Sequence, residues 1–86
     1  MSEAARVVLY GAEWCGDCRR SKRFLDSNTV EYTYIDVEAD ESASDKVIAI
    51  NGGVRSIPVI LFEDGTHLTE PSDADLKAKL ESLSIL

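Results

Sequence analysis

Arg6-Val7-Val8-Leu9-Tyr10-Gly11, followed after Ala12-Glu13 by Trp14-Cys15-Gly16-Asp17-Cys18-Arg19-Arg20, decides the fold. The first run is β-branched and continuously apolar up to a glycine. That pattern predicts a strand buried on both faces, as in a parallel pair. The cysteine pair follows one loop later and opens a helix that should run through Phe24-Leu25 to about Ser27. Asp17 suits the first turn, where a carboxylate complements the positive end of the helix dipole, and basic residues come further along.

Working outward, Val30 to Val37 is expected as the second strand, with Thr33, Ile35 and Val37 alternating against Tyr32, Tyr34 and Asp36. A second helix should run from Asp40 or Glu41 to Ile50, with Ala43, Val47 and Ile50 on one face. Asn51-Gly52-Gly53 stops it, because glycine takes the left-handed conformation that ends helices. Val59-Ile60-Leu61-Phe62, then Glu63-Asp64-Gly65-Thr66, then His67-Leu68-Thr69 predict strand, tight turn, strand. Ser72 is placed to cap a last helix that carries Leu76, Leu80 and Leu83 at helical spacing as a core stripe. The order βαβαββα gives an α/β fold with a four-stranded mixed sheet flanked by three helices. Its first two strands are parallel across a right-handed crossover, and its last two form an antiparallel hairpin.

Eighty-six residues, 44% of them apolar, are expected to form one domain spanning residues 1–86. No apolar run approaches the ~20 residues needed to span a bilayer. Met1 to Arg6 carries no signal-peptide pattern, so a cytoplasmic location is expected. Nine basic against sixteen acidic residues give a net charge of -7, which opposes binding to nucleic acid. The charge is unevenly placed. Arg19, Arg20, Lys22 and Arg23 crowd behind the second cysteine, whereas Phe24 to Asp45 holds seven carboxylates and no Lys or Arg. Those carboxylates are expected as a solvated face, and His67 as a solvent-facing residue of the hairpin.

Both cysteines lie in one Cys-x-x-Cys motif. A disulfide staple stabilises mainly by closing a long loop, and this pair closes almost nothing. In a reducing compartment the motif points to redox or metal chemistry instead. A single-chain zinc site would need two more ligands, and only His67 and carboxylates remain to supply them. An attacking thiol works as its thiolate. Cys15 lies where a loop meets a helix N-terminus, whose free N–H groups favour a negative sulfur, and Arg19 sits one turn on. Cys18 is close enough to attack a mixed disulfide on Cys15, which makes Cys15 the nucleophile and Cys18 the resolving thiol. Asp17 brings an opposing negative charge close to Cys15. Ser56-Ile57-Pro58 precedes a strand, and a proline there leaves the preceding backbone open to an extended ligand.

Trp14-Cys15-Gly16-Asp17-Cys18-Arg19, Arg55-Ser56-Ile57-Pro58 and the Asp64-Gly65 hairpin together resemble a glutaredoxin over essentially the whole chain. Trp14, the Ile50-to-Pro58 stretch and Asp64 to Ser72 resemble the mycoredoxin subgroup, which uses mycothiol where others use glutathione. The resemblance implies a thioredoxin-like fold, a cis-Pro58, a nucleophilic Cys15 and a resolving Cys18. It also implies a groove lined by Trp14, the Ile57 backbone and the Thr69-to-Asp73 stretch. The thiol- and substrate-binding set is then Trp14, Asp17, Arg19, Arg55, Ser56, Ile57, Pro58, Thr69, Glu70, Ser72 and Asp73.

Three departures bear on the thiol. Gly16-Asp17 stands where glutaredoxins commonly have Pro-Tyr. Ala12-Glu13 offers no lysine for glutathione's glycine carboxylate, and Glu70-Pro71-Ser72-Asp73 replaces the usual Gly-Gly-x-Asp-Asp cradle. Together they favour a thiol without that carboxylate. The expected partners are therefore a low-molecular-weight thiol as co-substrate (mycothiol or glutathione), disulfide-bearing target proteins and a flavoprotein reductase. The chain is expected to act as a monomer with no tightly bound cofactor or metal. Two other readings stay open: a thioredoxin-like dithiol reductase, and a carrier sharing an iron–sulfur cluster between two chains.

Overall fold

A computed structural model describes residues 6–86. Residues 1–5, which carry most of the stretch read as lacking a signal peptide, lie outside the described residues. The apolar run at the start becomes β1 (Val7–Gly11), and both of its faces are covered. Val7 and Leu9 enter one apolar cluster, whereas Val8 and Tyr10 pack into another. The remaining elements are α1 (Gly16–Ser27), β2 (Thr33–Asp36), α2 (Glu41–Ile50), β3 (Val59–Phe62), β4 (His67–Thr69) and α3 (Asp73–Ser82).

The sheet order is β2-β1-β3-β4. β1 and β2 run parallel, from Val8 opposite Thr33 to Gly11 opposite Asp36. β1 pairs antiparallel with β3, and β3 with β4, placing Ile60 between Leu9 and Leu68. The two-residue period then sorts the side chains into layers. Ile60 and Phe62 of β3 join Leu25, Leu76 and Leu80 of α1 and α3 on one face. Val59 joins Val37, Ala43 and Val47 on the α2 face. Leu9, Leu25, Ile60, Leu76 and Leu80 are fully buried. Each such side chain contributes about 1.5–3 kcal/mol of transfer free energy. This is the thioredoxin-like fold that the resemblance implies.

β2 differs from its expected extent. It covers Thr33–Asp36 rather than Val30 to Val37. Val30 is taken up in closing α1, where its N–H donates to the Leu25 carbonyl at 2.9 Å. Val37 keeps one bond to the sheet, its N–H donating to the Gly11 carbonyl at 3.0 Å. The predicted alternation still holds, with Tyr32 and Tyr34 packed on the α1 face and Ile35 and Val37 on the α2 face. His67 is exposed, as expected. No helix among the described residues is long and apolar enough to cross a membrane.

Candidate active site

The two cysteines sit where β1 hands over to α1. Cys15 is the N-cap residue of α1, with extended backbone angles (φ -83, ψ 114). Its Sγ accepts the Cys18 N–H at 3.1 Å. Sulfur thus occupies the place of the oxygen that normally satisfies a helix's first N–H groups, where the dipole also favours negative charge. Cys15 is 7% exposed and Cys18 1%, so the first cysteine is the more accessible of the two. Ala12 and Ile57 complete an apolar cluster with them, and the Ile57 carbonyl lies 4.0 Å from Cys15 Sγ.

Cys18 is set deeper, and burial pushes its thiol up to about 12, reinforced by its hydrogen bond with Cys15 and by the Cys15 and Asp17 charges. A backbone hydrogen bond at Ala12 pulls the other way, more than either charge pushes. Cys18 is therefore a neutral thiol at physiological pH. Its bed is Gly11. A β-carbon there would stand 3.0 Å from Cys18 Sγ, so any side chain at this position would force the sulfur or the strand to shift.

The wall opposite Cys15 is assembled from distant parts of the chain. The Ile57–Pro58 peptide bond is cis, as the resemblance implies, and Pro58 is fully buried. The Pro58 carbonyl accepts the Glu70 N–H at 2.9 Å. Asn51, at the C-cap of α2, holds both sides of this wall. Its Nδ2 donates to the Ser56 carbonyl at 3.0 Å, and its Oδ1 accepts from Thr69 Oγ1 at 2.7 Å. Glu70 itself takes a left-handed backbone conformation (φ 50), uncommon for a residue with a side chain. Among the described residues the Ile57 N–H has no hydrogen-bond partner. Ser72 spends its hydroxyl on capping α3, accepting the Asp75 N–H at 3.1 Å.

Arg20 ties the helix that carries the cysteines to this wall. It lies 3.3 Å from Asp17 and 3.8 Å from Asp73, and it donates to the Pro71 carbonyl at 3.1 Å. Asp17 is thus held by Arg20 at the exposed flank of α1. Arg19 donates to the Glu13 carbonyl at 3.3 Å. Trp14 is 65% exposed and takes no part in the core. Arg55 is engaged elsewhere, 2.8 Å from Glu38 and 2.9 Å from Ser44 Oγ. Among the described residues, no three or more His, Cys, Asp or Glu side chains are placed to share a metal ion.

The chain carries this site on a sequence that matches the glutaredoxin family model over residues 7–68. It is 40% identical over 80 residues to mycoredoxin 1 of Corynebacterium glutamicum, covering 93% of this chain and 99% of that one. The chain belongs to the glutaredoxin family. It is accordingly a thiol–disulfide oxidoreductase, of a family that works with low-molecular-weight thiols and disulfide targets. The glutaredoxin structure from Archaeoglobus fulgidus superposes with a TM-score of 0.75 at 29% identity, covering 86% of this chain and 84% of that one. The Escherichia coli glutaredoxin-like NrdH-redoxin gives 0.75 at 23% identity over 87% and 93% of the two chains, a likeness of fold alone.

Of the residues singled out from sequence, the structure brings Cys15, Cys18 and Ile57 into direct contact, with Pro58 buried beside them. Ser56 and Thr69 join through Asn51, and Asp17 and Asp73 through Arg20. Arg55 does not join this network. Gly11, Asn51 and Arg20 were not picked out as parts of the site. Asn51 stood within a helix-stop signal, and Arg20 within a run of cations, but neither signal named a long-range partner.

Proposed function

We propose that the chain reduces mixed disulfides between proteins and a low-molecular-weight thiol of the mycothiol type, with Cys15 as nucleophile. The observation that carries this reading is the Cys15 sulfur capping α1 above a buried, neutral Cys18. The Cys15 thiolate attacks the small-thiol sulfur of the mixed disulfide. A new S–S bond forms to Cys15, the bond to the target's sulfur breaks, and the target leaves as a thiolate that takes up a proton from water. A second small thiol, as its thiolate, then attacks the adduct, releasing Cys15 and a small-molecule disulfide. Cys18 offers the other exit, displacing the small thiol and leaving a Cys15–Cys18 disulfide for a reductant to reopen. Its neutral state favours the first exit when small thiol is abundant.

Mycothiol is favoured over glutathione by the 40% identity to mycoredoxin 1, by the lack of a lysine at Ala12-Glu13 and by the acidic rim at Glu70 and Asp73. That rim suits a thiol without a glycine carboxylate. The unpartnered Ile57 N–H supports extended pairing with the thiol's amide backbone. Trp14 is proposed to cover the groove, with Thr69 to Asp73 as its far side. The chain is proposed to act as a cytoplasmic single-domain monomer, its thiol pool regenerated by a flavoprotein reductase. The test compares one target protein carrying either mycothiol or glutathione on the same cysteine. Cys15→Ser should abolish turnover of both, whereas Cys18→Ser should keep it and lose only protein-disulfide reduction. Full activity in Cys15→Ser overturns the assignment. Equal kcat/KM for the two thiols overturns the mycothiol preference.

A further inference from the structure

We propose that a second groove, between α1 and β2, docks an acidic segment of the disulfide-bearing target protein, a proposal that rests on the thiol–disulfide activity above. The groove encloses about 330 Å³ and has Cys18 in its lining. None of Ile57, Pro58 or residues 69–73 lines it, so it is distinct from the groove assigned to the small thiol, and Arg19, expected among the thiol-binding residues, projects into this one instead. Arg19, Lys22 and Arg23 project into it from successive turns of one helix face.

These cations differ from most others in the protein. Arg6, Arg20, Arg55 and Lys79 each have a carboxylate within 4 Å. Among the described residues Arg19, Lys22 and Arg23 have none within that distance. Two carboxylates do line the groove, Glu13 and Asp26, and Asp26 is occupied in accepting the Tyr32 hydroxyl at 2.8 Å. Lys22 stands 5.1 Å above the Tyr34 ring, which fixes its stem without neutralising its charge. Three cations against two carboxylates make a positive site on a chain whose net charge is -7.

That contrast gives the groove its selectivity. An acidic partner is repelled by most of the surface and attracted here, next to the sulfurs, so electrostatics orients the encounter as well as speeding it. An extended acidic segment fits better than a single phosphate. The cations are spread along the helix, and the N–H groups of a helix interior are already bonded, leaving side chains alone to hold the anion.

The experiment uses two peptides that carry the same cysteine in a mixed disulfide, flanked by glutamates in one and by glutamines in the other. Wild type should reduce the glutamate peptide about tenfold faster in kcat/KM at low ionic strength. High salt should close the gap. Lys22→Glu/Arg23→Glu should remove the preference while turning over a small uncharged mixed disulfide at the wild-type rate, which also reports that the variant is folded. If it does not fold, Lys22→Gln/Arg23→Gln should show the same loss in weaker form. Equal rates for the two peptides in wild type, or an undiminished preference in the folded variant, overturn the proposal. So does a preference abolished by inorganic phosphate at constant ionic strength, which would assign the groove to a free anion. Should wild type reduce none of these substrates, the oxidoreductase reading fails instead. Calorimetry with Cys15→Ser protein and a serine analogue of the glutamate peptide then decides docking alone: binding lost in Lys22→Glu/Arg23→Glu supports it, and no binding overturns it.

Discussion

A β-carbon at position 11 would meet Cys18 Sγ at 3.0 Å, Cys18 Cβ at 3.1 Å and Leu9 Cδ2 at 3.2 Å. Gly11 cannot retreat easily, because β1 is bonded to β2 on one side and β3 on the other. Its own carbonyl also accepts the Val37 N–H. Gly11→Ala should therefore push α1 outward and cost about 1–3 kcal/mol, the usual range for overpacking. Urea denaturation measures that cost. Reduction of protein disulfides, which needs Cys18 in place, should fall further than turnover of small mixed disulfides. Unchanged stability would mean that the helix yields freely. The cysteines and Pro58 were legible because their chemistry is local: a motif at a helix start, a proline at a strand start. Gly11 reads in sequence only as the end of a strand. Asn51 and Arg20 act through contacts 18 and 51 residues away, to Thr69 and Pro71, and no local pattern encodes those.

All three helices finish in the same way, with a residue of positive φ followed by an N–H that reaches back to the last turn. Val30 donates to Leu25, Gly53 to Ile48 and Ile85 to Leu80, at 2.9, 2.7 and 2.9 Å. The left-handed positions are Thr29, Gly52 and Ser84, at φ 57, 72 and 59. Only Gly52 is the residue such a cap prefers; the end of α1 at Ser27 also matches the sequence, but without a glycine to signal it. At Thr29 the cap forms against the β-branched residue's own preference, because Val30 and Leu25 both belong to the core and their burial draws the chain back. The same turn shortens β2 relative to the run of strand-forming residues that suggested Val30 to Val37. Thr29→Gly should relieve the strain and raise stability by about 1 kcal/mol. Thermal denaturation would show it as a higher Tm with catalytic rates unchanged, since α1 carries the cysteines at its other end. A lower Tm would mean that glycine's freedom in the unfolded chain outweighs the relief.

For the whole molecule, titration behaviour divides between carboxyls held by hydrogen bonds and ion pairs and a thiol and phenols raised by burial. The carboxyls held below their usual range are on the surface. Asp64 is lowered to about 2 by its bonds to Thr66 and by Lys79, Glu63 is lowered by Arg6, and Asp40 by capping α2. A depressed carboxyl stabilises the fold above its ordinary value, and that contribution is lost as pH falls through the folded value. All three are solvent-exposed, so the acid limb should be shallow. Of the raised thiol and phenols, Cys18 is buried and Tyr32 and Tyr34 are half-buried. Burial is the leading cause for Cys18, pushed up to about 12 from 9.0, and for Tyr34, pushed up to about 12 from 10.0; Tyr32 is raised as well. Here the fold binds protons that the unfolded chain releases. Their contribution is complete below the unfolded values and is lost as pH rises from about 9 towards 12. Added negative charge on a chain already at -7 works in the same direction. Urea midpoints across a pH series should therefore fall more steeply above pH ~9 than below pH ~4. Cys18→Ser should flatten the alkaline limb by up to about 1.4 kcal/mol per pH unit, the most that one proton can supply. Comparing slopes rather than absolute stabilities separates this linkage from any packing change the substitution brings. An alkaline slope identical in wild type and Cys18→Ser would mean that Cys18 ionises as readily in the fold as outside it, and the case for a neutral resolving thiol would go with it.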